Sequence, residues 1–110
     1  MRTRFAPAVL AAALIALPAA SPSAPAATVH IRDFAYVPAV VRVHAGDRVV
    51  FVNDDDEPHT VTAADGSFDS GGLDRAQRWE HVFTVAGRYA YRCEMHPMMA
   101  GTVVVAPAAP

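Results

Sequence analysis

Cys93, His96 and Met99 are separated by two residues each, and this spacing governs how the second half of the chain can fold. Thiolate, imidazole and thioether groups are soft or borderline ligands, which favour copper over calcium or magnesium. Pro97 stands inside the segment and indicates a tight loop rather than a continuing strand. The pattern therefore predicts a loop that holds a metal ion, with a second imidazole supplied from elsewhere in the chain.

The N-terminal segment has the pattern of a secretory signal peptide. Arg2 and Arg4 form a positively charged region, and an apolar run follows over residues 5–17. This run is short for a membrane span, which needs about 20 apolar residues. Small residues follow, and an Ala-x-Ala sequence predicts cleavage after Ala26, although cleavage near Ala20 also fits.

These boundaries predict a signal peptide over residues 1–26 and a single domain over residues 27–110, because a chain of 110 residues has little room for a second domain. Without the two N-terminal arginines, 7 arginines stand against 11 acidic residues, and there is no lysine. The basic patch that nucleic-acid binding needs is missing, so we exclude that class of function. Export predicts a periplasmic location, with no stable membrane insertion after cleavage.

The environment outside the cytoplasm also bears on Cys93, because oxidising compartments favour disulfides. Cys93 is the only cysteine and has no partner within its own chain. From the residues alone, the thiol is either buried and inert or held by a metal. The neighbouring His96 and Met99 favour the metal.

From Thr28 onward, short apolar runs of period two alternate with turn residues, and no helical period is present. Strands are predicted over residues 28–33, 39–44, 48–53, 59–63, 77–85, 88–93 and 101–106. Residues 64–76 are predicted to form a long surface loop. About seven or eight short strands predict an all-β fold, an antiparallel β-sandwich.

The motifs together resemble those of the cupredoxins, and the two-residue spacings of the Cys93 loop are most similar to the amicyanin type. The resemblance covers nearly all of residues 27–110. It rests on Phe34-x-Tyr36-x-Pro38, Gly46-Asp47-x-Val49, Asn53, His59-Thr-Val, Gly87-x-Tyr89-x-Tyr91 and the Cys93 loop. It implies a Greek-key version of the sandwich and one copper ion in a type 1 site.

The resemblance also implies which residues bind the copper: His59, Cys93, His96 and Met99. In this family the first histidine ligand occupies the position of His59, where a loop meets a short strand. Met99 is the axial ligand by its spacing, although the other two methionines of the loop compete with it. The three remaining histidines are not expected to be ligands: His30, His44 and His81.

Two positions depart from the family pattern. Many relatives have Asn after the first histidine ligand and Ser or Thr after the cysteine, where this chain has Thr60 and Glu94. We expect Thr60 to donate to the Glu94 carboxylate and so to hold the two ligand loops together. The acidic run 54–57 is predicted to be a solvated loop.

The resemblance implies one-electron transfer between redox partner proteins, by copper that alternates between Cu(I) and Cu(II). We expect a monomer and no enzymatic activity, because no open coordination position is implied. Partners are expected to dock on an apolar patch around His96, which consists of Met95, Pro97, Met98 and Ala100. Two alternatives stay open: a periplasmic copper carrier that binds Cu(I) through its sulfurs, and a metal-free sandwich used in adhesion or assembly.

Overall fold

The computed structural model describes residues 2–18 and 23–110. Residues 2–18 are exposed and form no regular secondary structure, so the signal peptide and its cleavage after Ala26 stay predictions. The alternative cleavage position, Ala20, lies outside the described residues. No helix in the described part of the chain is long and apolar enough to cross a membrane.

Eight β-strands form two four-stranded sheets, and residues 2–18 and 23–110 contain no helix. The strands are β1 (Ala27–Arg32), β2 (Ala35–Val37), β3 (Val40–His44), β4 (Asp47–Asn53), β5 (Thr62–Ala63), β6 (Arg78–Phe83), β7 (Gly87–Arg92) and β8 (Ala100–Ala106). One sheet has the order β2-β1-β4-β6 and the other β3-β8-β7-β5. The predicted all-β sandwich is confirmed.

The sheets are mixed, which corrects the prediction of a purely antiparallel sandwich. β1 pairs with β4, and β3 pairs with β8, in parallel register. Parallel neighbours need a crossover connection, and here β2 and β3 lie between β1 and β4 along the chain. Period-two alternation shows which side chains face the core, but it is the same for both strand directions.

The core lies between the two sheets, and all eight strands contribute buried side chains to it. Phe51 of β4 and Tyr91 of β7 meet there edge to face, with ring centroids 5.5 Å apart. Tyr91 lies opposite Gly101 of β8, and its ring fills the space that a Cβ atom at Gly101 would need. The base of the Cys93 loop, which begins just after Tyr91, therefore stands on a close-packed core.

The segment between β5 and β6 is more buried than the predicted surface loop, because it inserts Phe68 and Leu73 into the core. The predicted strand 59–63 shortens to β5, Thr62–Ala63. His59 nevertheless exchanges two backbone hydrogen bonds with Leu73, of 3.1 and 2.7 Å. This pairing holds the backbone of His59 in place independently of the contacts of its side chain.

Candidate metal centre

The loops that carry the predicted ligands meet at one end of the sandwich. Cys93 follows directly after β7, and His59 lies in the connection from β4 to β5. The Cys93 loop closes on itself: the Met99 N–H donates to the His96 carbonyl at 2.9 Å, and the Cys93 N–H donates to the Met99 carbonyl at 3.3 Å. The tight loop predicted from Pro97 is confirmed.

Three of the four predicted ligands present donor atoms to one another. Cys93 Sγ lies 3.8 Å from His59 Nδ1 and 3.6 Å from His96 Nδ1. All three donor atoms lie within 4.8 Å of one another. His59 and Cys93 are fully buried, whereas His96 is half-buried and reaches the surface.

The loop's methionines differ sharply in exposure. Met99 is 2% exposed, whereas Met98 is 80% and Met95 is 49% exposed. His59 and Cys93 are fully buried, and Met99 is the loop methionine that shares their burial. The difference therefore favours Met99 over its two competitors as the axial ligand.

The donor set fits a first-row transition metal. Metal–sulfur bonds of about 2.3 Å and metal–nitrogen bonds of about 2.0–2.1 Å, at angles of about 110–120°, separate sulfur from nitrogen by about 3.5–3.8 Å. The two sulfur–nitrogen distances at Cys93 agree with this value. Two imidazoles and one thiolate, with a thioether as a weak fourth donor, are the set typical of copper sites that transfer electrons.

Asp55 supports the first histidine ligand, a role that the sequence reading missed. The His59 Nε2–H group donates to the Asp55 carboxylate at 2.9 Å, which directs His59 Nδ1 at the sulfur of Cys93. The carboxylate also accepts the backbone N–H groups of Asp33 and Phe34, at 2.8 and 3.0 Å. Burial alone would raise the pKa of Asp55, but these N–H donors and His59 outweigh it and lower the pKa. The prediction of a merely solvated loop is wrong for this residue.

Phe34 covers both histidine ligands from the turn between β1 and β2. Its ring stands edge-on to His59 and to His96, with centroid distances of 5.2 and 5.1 Å. Phe34 and Asp33 have positive φ angles of 59° and 50°, which are unfavourable for residues other than glycine. The two hydrogen bonds to Asp55 offset this cost. Phe34 was part of the family resemblance, but nothing in the sequence indicated its contact with the site.

Thr60 joins the two ligand loops, although not in the predicted way. Its backbone N–H donates to Cys93 Sγ at 3.3 Å, and its hydroxyl oxygen accepts the backbone N–H of Glu94 at 2.9 Å. The predicted bond from Thr60 to the Glu94 carboxylate is not formed. That carboxylate instead lies 3.9 Å from Arg92 at the surface.

The other histidines lie apart from the cluster, as predicted. His30 bonds to Asp54 at 2.8 Å, and His81 stacks on Trp79 with ring centroids 5.3 Å apart. Burial lowers the pKa of His81. Among the described residues, the metal-ligating group of His, Cys and acidic side chains consists of His59, Cys93 and His96.

Comparisons with known proteins agree with this geometry. Residues 5–105 match the cupredoxin-like domain family. The chain is 34% identical over 85 residues to amicyanin of Paracoccus denitrificans, a match that covers 73% of this chain and 65% of that protein. It is also 34% identical over 92 residues to amicyanin of Paracoccus versutus, covering 79% and 70%. The chain thus spans slightly less than two thirds of the first of these relatives.

Solved structures show the same relationship. A Cu(I) form of an amicyanin mutant superposes with a TM-score of 0.71 at 30% identity and covers 76% of this chain and 85% of that one. A purple cupredoxin from Nitrosopumilus maritimus gives a TM-score of 0.68 at 31% identity, covering 73% and 99%. The match to the family begins within the predicted signal peptide, whereas the first strand begins at Ala27.

The fold and the cluster define a β-sandwich protein whose cofactor is one copper ion. The chain belongs to the cupredoxin-like family and is similar to amicyanin.

Proposed function

We propose that the protein carries single electrons between redox partner proteins in the periplasm, with copper held by His59, Cys93, His96 and Met99. The observation that carries the proposal is the convergence of one thiolate and two imidazole nitrogens within 4.8 Å at one end of the sandwich. Copper in such a set alternates between Cu(I) and Cu(II) and so takes up and releases one electron. The amicyanin relatives support this function.

The chain's own contribution is to hold the donors still. Asp55 fixes the ring of His59, and the backbone N–H of Thr60 fixes the sulfur of Cys93. Side chains locked by packing and by a surrounding layer of hydrogen bonds keep their geometry during a reaction. Because the donor atoms move little when copper changes its oxidation state, the reorganisation energy of electron transfer stays small. Four protein donors leave no position for a substrate, which supports an electron carrier rather than an enzyme.

The half-buried His96 is the proposed exit for the electron, and the patch around it is the proposed docking surface. Met95, Pro97 and Met98 are exposed there, and Phe34, which is 46% exposed, extends the patch. Electron-transfer encounters bury less than about 1,200 Å² in total. A small apolar patch on a monomer therefore suffices for a brief contact with a redox partner.

The copper-carrier alternative is not favoured by the amicyanin relatives. The structure adds that two of the three loop methionines point to the surface, so their sulfurs are not gathered into the site. A carrier of this kind would be expected to use several sulfurs for Cu(I).

Stoichiometric copper loading followed by repeated reduction and reoxidation tests the proposed function. We expect one copper per chain and complete recovery of the visible Cu(II) band in each cycle. Loss of copper on reduction would support a carrier, and absence of the band would contradict the copper site. The mass of the protein recovered from the periplasm tests the location and the cleavage after Ala26.

A further inference from the structure

Asp69, in the segment between β5 and β6, lies at the far end of a hydrogen-bond chain that reaches the Cys93 loop. We propose that Asp69 is a positioning residue for the copper thiolate of Cys93 and that it acts through Thr62 and Thr60. This inference rests on the proposed function, because it assigns a role toward the copper ligand. It adds a residue that touches none of the proposed ligands.

The hydrogen-bond chain consists of three hydrogen bonds. The Glu94 N–H donates to Thr60 Oγ1 at 2.9 Å, Thr60 Oγ1 lies 2.9 Å from Thr62 Oγ1, and Thr62 Oγ1 donates to Asp69 Oδ1 at 3.2 Å. Thr60 and Thr62 are 7% and 8% exposed, so water has little access to their hydroxyls. A buried hydroxyl without a partner is unfavourable, which keeps the links engaged.

Asp69 sets the direction of the chain. A carboxylate can only accept hydrogen bonds, so the single proton of the Thr62 hydroxyl points at Asp69. The Thr62 oxygen is then free to accept the proton of the Thr60 hydroxyl. Because the Thr60 hydroxyl then donates its proton to Thr62, only its lone pairs remain for Glu94, and these accept the Glu94 N–H. Without Asp69, the Thr62 proton can point at Thr60 instead, and the direction of the hydrogen bonds is no longer set.

The carboxylate is itself fixed in place. Asp69 Oδ1 accepts the N–H of Gly71 at 2.9 Å. The adjacent Ser70 N–H donates to the Val61 carbonyl at 2.9 Å, and the Val61 N–H donates to Ser70 Oγ at 2.7 Å. The segment that carries Asp69 is therefore held by hydrogen bonds against Val61, the residue between the two threonines.

Thr60, at the end of the hydrogen-bond chain nearest to Cys93, makes two hydrogen bonds to the Cys93 loop. Thr60 donates its backbone N–H to Cys93 Sγ and accepts the N–H of the residue that follows Cys93. Release of the Glu94 amide lets the peptide after Cys93 tilt and loosens the contact between Thr60 and the sulfur. A weaker hydrogen bond to the thiolate favours Cu(II), so the reduction potential should fall.

The first experiment measures amide hydrogen exchange in the metal-free protein. Thr62→Val and Asp69→Ala should accelerate exchange at Glu94 by roughly fivefold, the effect of one lost hydrogen bond, relative to amides in β8. Thr62→Ser keeps a hydroxyl and should restore the slow exchange. Asp65→Ala is the matched control, since Asp65 lies in the same segment and accepts the N–H of the nearby Ser67. Unchanged exchange at Glu94 in Thr62→Val would overturn the proposal, even if Asp69→Ala fails to fold.

The second experiment uses the copper-loaded proteins. Thr62→Val and Asp69→Ala should lower the reduction potential and shift the visible band, while Thr62→Ser and Asp65→Ala should leave both as in the wild type. Faster exchange with an unchanged potential would show a structural link only and would overturn the positioning role. A wild-type protein without the copper band would instead overturn the proposed function, and the role of Asp69 with it.

Discussion

Phe34 stands edge-on to His96, with the ring centroids 5.1 Å apart and the ring planes at 84°. The same ring contacts His59, so a single side chain covers both imidazoles on the solvent side. Asp55 holds the backbone of Phe34 and the ring of His59 with one carboxylate. The turn between β1 and β2 is thus tied to the ligands by both packing and hydrogen bonds.

Removal of this cover should change the reduction potential. Phe34→Ala admits water to both imidazoles, and a better solvated site favours the more highly charged Cu(II). We expect copper to be retained and the potential to fall. Phe34→Leu, which keeps an apolar side chain over the histidines, should give a smaller shift. Equal potentials for the two variants in voltammetry would show that Phe34 does not shield the site.

Met99 and Met98 offer a direct test of the axial ligand. Met99 is buried and Met98 is exposed. Because the axial bond is weak, Met99→Leu should retain copper and raise the potential, whereas Met98→Leu should do much less. A shift from Met98→Leu that equals or exceeds the shift from Met99→Leu would reject Met99 as the axial ligand.

The docking patch is tested by placing a charge beside His96. Met98→Lys should slow electron exchange with the native partner and leave the visible spectrum unchanged, since the side chain is exposed and apart from the donors. Val85→Lys is the matched control, because Val85 is an exposed apolar residue next to the opposite end of β7. Unchanged rates for Met98→Lys in stopped-flow measurements would place docking elsewhere, for example on the acidic run 54–57.

Acid should destabilise the metal-free protein through Asp55. The N–H donors around this carboxyl hold its pKa below the ordinary value of about 3.9, against the opposing effect of burial. The unfolded chain therefore takes up the proton first, so this contribution to stability is complete above about pH 4 and is lost as the pH falls further. Urea midpoints between about pH 6 and pH 2.5 should fall less steeply for Asp55→Asn. Identical slopes for variant and wild type would contradict this.

The proposed ligands could be predicted from the sequence because donor chemistry and local spacing belong to the residues themselves. Cys93 and His96 lie in one short loop, and the family resemblance supplied His59. The supporting groups gave no such signal. The contact of Asp55 with His59 depends on an irregular loop, and that of Phe34 on a positive φ angle that a phenylalanine rarely adopts.

The direction of the strands and the direction of the hydrogen bonds could not be predicted from the sequence either. The parallel pairing of β1 with β4 follows from crossovers between sheets, which side-chain alternation does not report. Thr60 was expected to donate to a carboxylate, yet it accepts from the backbone of Glu94. Which partner a hydroxyl meets depends on how two loops pack, and this was visible only in three dimensions.

The visible spectrum of the copper-loaded protein, compared with that of Cys93→Ser, tests the copper centre most directly. The wild type should show an intense absorption band toward the red end of the visible spectrum, from charge transfer between the thiolate and Cu(II). Cys93→Ser should lose the band while its far-ultraviolet circular dichroism stays that of the folded sandwich. A serine variant that keeps the same band, or a wild-type protein that binds copper without it, would contradict the assignment of Cys93 as the copper thiolate.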